Sequence, residues 1–168
     1  FCRVRVPAWS LPGITFAGAG QDLDTGAKVV HAAPHTTSHI STKSIARDGG
    51  VSNFRSSVVV LPNAAGSKSS VSCESLMLDD RSRSDTIPAM DIRCDAVDVG
   101  HEAKIGRISE EAIFYLMSRG MTEEDARALI VGGFAEPIAK ELPLEYAVEM
   151  NNLIPVSYTH LTLPTNSR

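Results

Sequence analysis

The chain has 168 residues, 43% of them apolar, and a formal charge of −4. That length suits one domain or one domain with an appendage, and no run approaches the roughly 18 consecutive apolar residues of a membrane span. Residues 1–108 carry 12 Lys/Arg against 11 Asp/Glu and residues 109–154 carry 3 against 9, so neither part has the basic excess that phosphate neutralisation needs, and nucleic acid is excluded as a partner.

In chain order, the first twelve residues, FCRVRVPAWSLP, fit poorly with the rest of the chain and are read as a non-native or misread segment. No charged–apolar–small-residue signal pattern stands at the start. From Ala27 to about Ile108 the chain reads as short strands: AKVVHAA, SHISTKSIA, FRSSVVVL, SVSCESLML, TIPAMDI and AVDVGHEAKI. Pro34, Asp48-Gly49-Gly50, Pro62-Asn63, Ala65-Gly66 and Asp79-Asp80 punctuate them. Gly reaches positive φ, Pro fixes φ and Asn/Asp bond their own backbone, so each is a turn former for its own reason. Runs recurring every 12 to 18 residues or so suit a sandwich, a barrel or a β-solenoid. Dense small polar residues, as in Ser41-Thr42-Lys43-Ser44 and Ser67 to Ser70, favour solenoid coils with one exposed face over a thick sandwich core.

The pattern changes at Ser109, an N-cap followed by Glu110 and Glu111 at the positive end of a helix dipole. Ile113, Leu116 and Met117 form one apolar face, and Gly120 closes the helix. Thr122 caps a second helix with Glu123, Glu124 and Asp125 in its first turn. Ala126, Leu129, Ile130 and Phe134 continue it, with a bend expected at Gly132-Gly133. Pro143 occupies a first helical position, ahead of a stripe of Leu144, Ala147 and Val148 widened by Tyr146, Met150 and Leu153. The expected organisation is therefore mainly β with an α-helical appendage: core coils over 13–108 and a small acidic helical domain over 109–154. Residues 156–165, VSYTHLTLPT, resemble the translation of a transposase adapter used in DNA library preparation, so 155–168 is set aside as an adapter-derived tail.

Three stretches carry a family resemblance: residues 30–60 (VHAAPHTTSHISTKSIARDGGVSNFRSSVVV), 70–92 (SVSCESLMLDDRSRSDTIPAMDI) and 100–154, in which GHEA, FYLMSRG and ELPLEYAVE are the specific motifs. Together they resemble the C-terminal end of SufB-type members of the SufB/SufD family of iron–sulfur cluster assembly proteins, over roughly residues 13–154. The resemblance implies a right-handed parallel β-helix core followed by a helical domain. It further implies a cytoplasmic scaffold that pairs through its core with SufD or a second SufB and carries the ATPase SufC on its helices. Such a scaffold builds a transient iron–sulfur cluster with a sulfur donor and passes it to carrier proteins. The resemblance thus implies a scaffold and not an enzyme, and since no P-loop is present, any ATP hydrolysis is expected from its partner.

The three cysteines, Cys2, Cys73 and Cys94, have no CxxC spacing and no even count, which excludes a disulfide framework and a zinc knuckle and suits free thiols in a reducing cytosol. On a strand, Val71, Cys73, Ser75 and Met77 share one face. Read alone, Cys73 has the ordinary reading of a buried inert thiol. The resemblance instead assigns it the cluster- and persulfide-binding role, for which thiolate sulfur is the suited soft ligand. It assigns Glu102 the functional carboxylate, with His101 beside it as a further metal ligand. Adjacent strand residues point to opposite faces, so the two reach one metal only across a bulge. Gly100 stands where some relatives have another acid.

His31, His35 and His39 are evenly spaced, but Pro34 argues against a shared helical face, and polar positions on the coils are the favoured reading. Cys94 has no functional case. Glu123, Glu124, Asp125, Glu136, Glu141, Glu145 and Glu149 read either as a solvated face or as part of a dock for the ATPase. Two other classes stand behind the scaffold: a SufD-like structural subunit that docks the ATPase without carrying the cluster, and a carbohydrate-active β-helix enzyme. The second is opposed by the 5% aromatic content.

Overall fold

A computed structural model describes residues 2–4, 8–142, 145 and 148. Residues 155–168, and the predicted third helix apart from Glu145 and Val148, lie outside these. The described chain forms two compact units that divide between Arg107 and Ile108.

The first unit is all β. Strands β1 (Cys2–Val4), β3 (Asp22–His31), β5 (Val51–Val60) and β7 (Arg83–Ile92) form one parallel sheet in that order, and β2 (Ala8–Ala17), β4 (Thr37–Ala46), β6 (Lys68–Met77) and β8 (Asp98–Arg107) form a second. Consecutive strands alternate between the sheets, so the chain winds as a parallel β-solenoid of about three turns. The expected fold class is thus found. Each predicted run overlaps a strand, β3 starting at Asp22, five residues before the run expected from Ala27, while β2 (Ala8–Ala17) lies where no strand was expected and includes part of the segment read as non-native.

Alternation explains the strands. In β6 the positions Ser69, Val71, Cys73 and Ser75 are buried, while Lys68 and Ser70 are exposed. Stacked coils align these positions into columns: Leu11, Ile40, Val71 and His101 in one, Gly13, Thr42, Cys73 and Ala103 in the next. Val29, Ile40, Val58, Val60, Ala64, Val71 and Cys73 form the central apolar cluster, with Trp9, Phe54 and Cys94 packed against it. Each fully buried aliphatic side chain contributes about 1.5–3 kcal/mol to holding the coils together.

The small polar residues behave differently from the expectation. Within Ser67 to Ser70, Lys68 and Ser70 form the exposed face, but Ser67 and Ser69 are buried, as is Ser75 further along β6. Burying an unbonded hydroxyl costs stability, and here each finds a partner on the neighbouring coil: Ser38 Oγ to Ser69 Oγ at 2.8 Å, Thr36 Oγ1 to Ser67 Oγ at 2.9 Å, Ser44 Oγ to Ser75 Oγ at 2.7 Å. Among the described residues no buried side-chain nitrogen or oxygen lacks a partner.

The corners are tight. Gly50 sits where a Cβ would lie 2.6 Å from the Ala17 carbonyl oxygen, so only glycine fits. Gly66 adopts φ +71° with the His35 ring against it. At the β6–β7 corner Asp79 accepts hydrogen bonds from the Arg81 and Ser82 backbone N–H groups, each at 2.8 Å, and from the Ser82 hydroxyl.

The second unit contains α1 (Glu110–Ser118) and α2 (Glu123–Glu141). Their predicted caps are in place: Ser109 accepts from the Ala112 N–H and Thr122 from the Asp125 N–H. The expected bend does not interrupt α2, which runs unbroken through Gly132, Gly133 and Pro137. Ala126, Val131, Ala135 and Ile138 are buried, and Ile113 is the buried residue of α1.

Candidate functional site

The first unit's last coil differs from those before it. β7 and β8 each pair on one side only, so each leaves a row of backbone donors and acceptors unpaired. The interior positions Met90 and Ile92 are 42% and 45% exposed, whereas their register partners Val58 and Val60 are 1% and 0% exposed. Ala103 and Ile105, on the inward face of β8, are exposed as well.

Cys73 lies one coil beneath this end. It is 2% exposed and flanked in its sheet by Thr42 on β4 and Ala103 on β8. Burial pushes the thiol pKa up, and the Thr42 hydroxyl offsets only part of that rise. His101 comes from the last coil, with Nε2 3.8 Å from Cys73 Sγ. It stands opposite Val71 in register, so it reaches Cys73 diagonally. Two donors on a tetrahedral metal of zinc's size sit about 3.5 Å apart, so sulfur and imidazole are placed to share one metal after a small adjustment. A tetrahedral ion takes four donors, so these two supply half of a shell.

Glu102 is separated from this pair. It stands opposite Ser72, on the outer face, and its carboxylate pairs with Lys104 at 3.0 Å. The outer column continues through Glu74 to Lys43, and those two are ion-paired. The structure therefore brings Cys73 and His101 together and leaves Glu102 across the strand. Among the described residues, no three His, Cys, Asp or Glu side chains converge as a metal site.

The other histidines do not meet. His31 is fully buried, with Nδ1 2.7 Å from Thr36 Oγ1 and Nε2 2.9 Å from Ser38 Oγ, and burial lowers its pKa. His35 lies in a turn with φ 55°. His39 is exposed on the outer face, with Nδ1 2.7 Å from Ser70 Oγ. Cys94 is a half-buried free thiol at the edge of the core.

Sequence reasoning missed Thr42. It lines a half-open cavity of about 170 Å³ together with Gly13, Thr15, Phe54, Cys73 and Ser75. The signal was available as spacing: Thr42 lies 31 residues before Cys73, the interval that also relates Ser38 to Ser69 and Ser44 to Ser75.

In the second unit, Phe114 and Tyr115 on α1 and Leu129 on α2 are large exposed apolar residues. Leu129, Gly132, Gly133, Glu136 and Lys140 line a shallow notch on α2. Among the described residues no helix is long and apolar enough to cross a membrane.

Known proteins share this sequence pattern. Residues 8–134 match the family described as SUF system FeS cluster assembly, SufBD core domain. An iron–sulfur cluster assembly SufBD family protein of Mycobacterium tuberculosis is 56% identical over 141 residues, covering 84% of this chain and 17% of the relative. A protein of the same description from Staphylococcus aureus (strain USA300) is 52% identical over 141 residues, covering 84% of this chain and 30% of the relative. The chain thus spans less than a third of the length of these curated relatives.

Proposed function

The chain belongs to the SufBD family of iron–sulfur cluster assembly proteins, and from that premise we propose that it is the SufB-type scaffold segment on which a nascent cluster is built. The observation that carries this reading is the contact between Cys73 and His101 beneath an uncovered last coil. Sulfur and imidazole are competent iron ligands. They account for two donors, and the open coil is where a second core, SufD or another SufB, brings the rest. The unpaired edges of β7 and β8 and the exposed Met90, Ile92 and Ile105 suit such a partner: backbone groups to pair and apolar surface to cover. The iron–sulfur cluster is cargo, held transiently between a sulfur donor and carrier proteins.

The helical unit is the proposed dock for SufC, with Phe114 and Leu129 as apolar anchors among the acidic residues Glu110, Glu111, Glu123 and Glu124. Nucleotide-driven movement of the ATPase would then loosen the last coil and uncover Cys73. The chain itself performs no hydrolysis in this scheme, and the assembly works in the cytoplasm. Glu102 serves outside the wall, exchanging Lys104 for iron as metal arrives or leaves.

One observation favours a second reading, a SufD-like architectural subunit that carries no cluster: Cys73 is buried, and burial pushes its thiol away from ionisation. Iron and acid-labile sulfide decide between them, measured in the full-length protein with its partner subunits after purification without oxygen. Cys73→Ser is expected to assemble normally and lose both. Retention of iron and sulfide by that variant sinks the scaffold reading and leaves the architectural one.

A further inference from the structure

The column that contains Cys73 reads Gly13, Thr42, Cys73, Ala103 across four neighbouring strands, all pointing into the solenoid. Two of the four are as small as side chains can be, and they flank the pair in the middle. A Cβ on Gly13 would stand 3.4 Å from Thr42 Cγ2, so the Thr42 methyl is the group turned toward β2. The hydroxyl takes one of the two remaining positions on Cβ, and the one away from β2 faces β6, where Cys73 stands in register. Thr42 and Cys73 line the same half-open cavity. On the far side of the sulfur lies the His101 ring at 3.8 Å.

From this we infer that Thr42 is a positioning residue for Cys73: its hydroxyl donates a hydrogen bond to the cysteine sulfur and aims it at His101 and the open coil. The inference rests on the reading of Cys73 as the cluster-building sulfur and adds a residue to it. A threonine suits the task better than a serine or a valine of similar size. Its β-branched side chain is restricted at χ1, and the room left by Gly13 admits the methyl in one orientation. Sulfur is a weak acceptor as a thiol and a strong one as a thiolate or a metal-bound thiolate. The bond therefore strengthens as the sulfur takes on charge, and Thr42 stabilises the loaded state more than the empty one. Ala103 does the complementary job by leaving space beside the sulfur rather than contacting it through a long side chain.

The test compares four variants of the full-length protein, co-expressed with its partner subunits and purified without oxygen. Iron and acid-labile sulfide are measured per complex, alongside the melting temperature. Thr42→Val keeps the shape and removes the hydroxyl, and its loading is expected to fall about tenfold, as expected for loss of a hydrogen bond to a charged group. Thr42→Ser keeps the hydroxyl and is expected to load within about twofold of the parent on the same argument. Equal loss in Val and Ser makes packing the cause and overturns the inference, as does a Val variant that loads normally while Cys73→Ser does not. Should Val lower the melting temperature, Thr42→Ala against Thr42→Ser gives the same contrast, since both lose the methyl and one retains the hydroxyl. Normal loading in Cys73→Ser overturns the underlying reading, and this inference with it.

Discussion

The middle coil and the last coil of the solenoid share one set of interior positions and treat them differently. Val58 and Val60 are sealed between neighbours, while Met90 and Ile92, stacked directly on them in the same inward-facing columns, are open to solvent. A solenoid position is buried by the next coil along, not by its own sequence. The middle coil therefore holds the stability, and the last coil holds surface able to bind something else.

The sharpest way to break this contrast is to truncate matched residues. Ile40→Ala, on β4 one coil further in, is expected to cost about 3 kcal/mol, and Met90→Ala in the last coil less than about 1 kcal/mol, both read as chemical-denaturation midpoints of the full-length protein. Met90→Ala is expected instead to weaken association with the partner core. Equal costs at the two sites would show that the last coil is as well packed as the middle one.

Asp79, which ties the corner leading from the middle coil into the last, gives a smaller effect. Burial works against its ionisation, but the Ser82 hydroxyl and the backbone N–H groups of Ser82, Arg81 and Asp48 outweigh it and hold its pKa at about 2. A carboxyl depressed from 3.8 in the unfolded chain contributes stability that is present above that value and lost as pH falls toward 2. Asp79→Ala is expected to cost about 2 kcal/mol at neutral pH and to flatten acid unfolding in that window. An unchanged acid limb would remove Asp79 from the account.

His31, on β3 one coil before the middle one, gives a smaller signal. Its folded pKa lies below the ordinary 6.5 because it is buried. The unfolded chain therefore binds a proton that the folded chain does not, and stability falls as pH drops below about 6.5. Replacing His31 with Gln is expected to remove that slope, and a slope that persists in the variant would place its origin elsewhere. The smallest expected effect is on the open side: Lys104→Met, which breaks an exposed pair with Glu102, is expected to shift stability by less than about 0.5 kcal/mol. A larger loss there would mean that the outer face of the last coil is covered.

Much of this architecture was legible in the sequence. Alternating strands bounded by Gly, Pro and Asp corners repeat at near-constant intervals, because each coil obeys the same local rule. The helix caps at Ser109 and Thr122 were readable for the same reason, since capping is settled within four residues. The interior serines were not, because whether a serine is buried depends on a hydroxyl 31 residues away, as Ser38 and Ser69 show. The Cys73–His101 contact was hidden by a related geometry: it runs diagonally between coils, 28 residues apart, off the column that direct register defines. The opposite placement of His101 and Glu102, by contrast, followed from strand alternation alone.

The 31-residue hydroxyl spacing also makes the middle coil a measured length. One residue added within β6 would turn Ser69, Val71, Cys73 and Ser75 outward together and bring charged Glu74 inside. The same residue added at the exposed Pro62-Asn63 tip, ahead of buried Ala64, would leave the alternation of the strands unchanged. Insertions and deletions in this protein are therefore expected to collect at its corners, with strand lengths held fixed, so the coil tolerates changes of letter far more readily than changes of count.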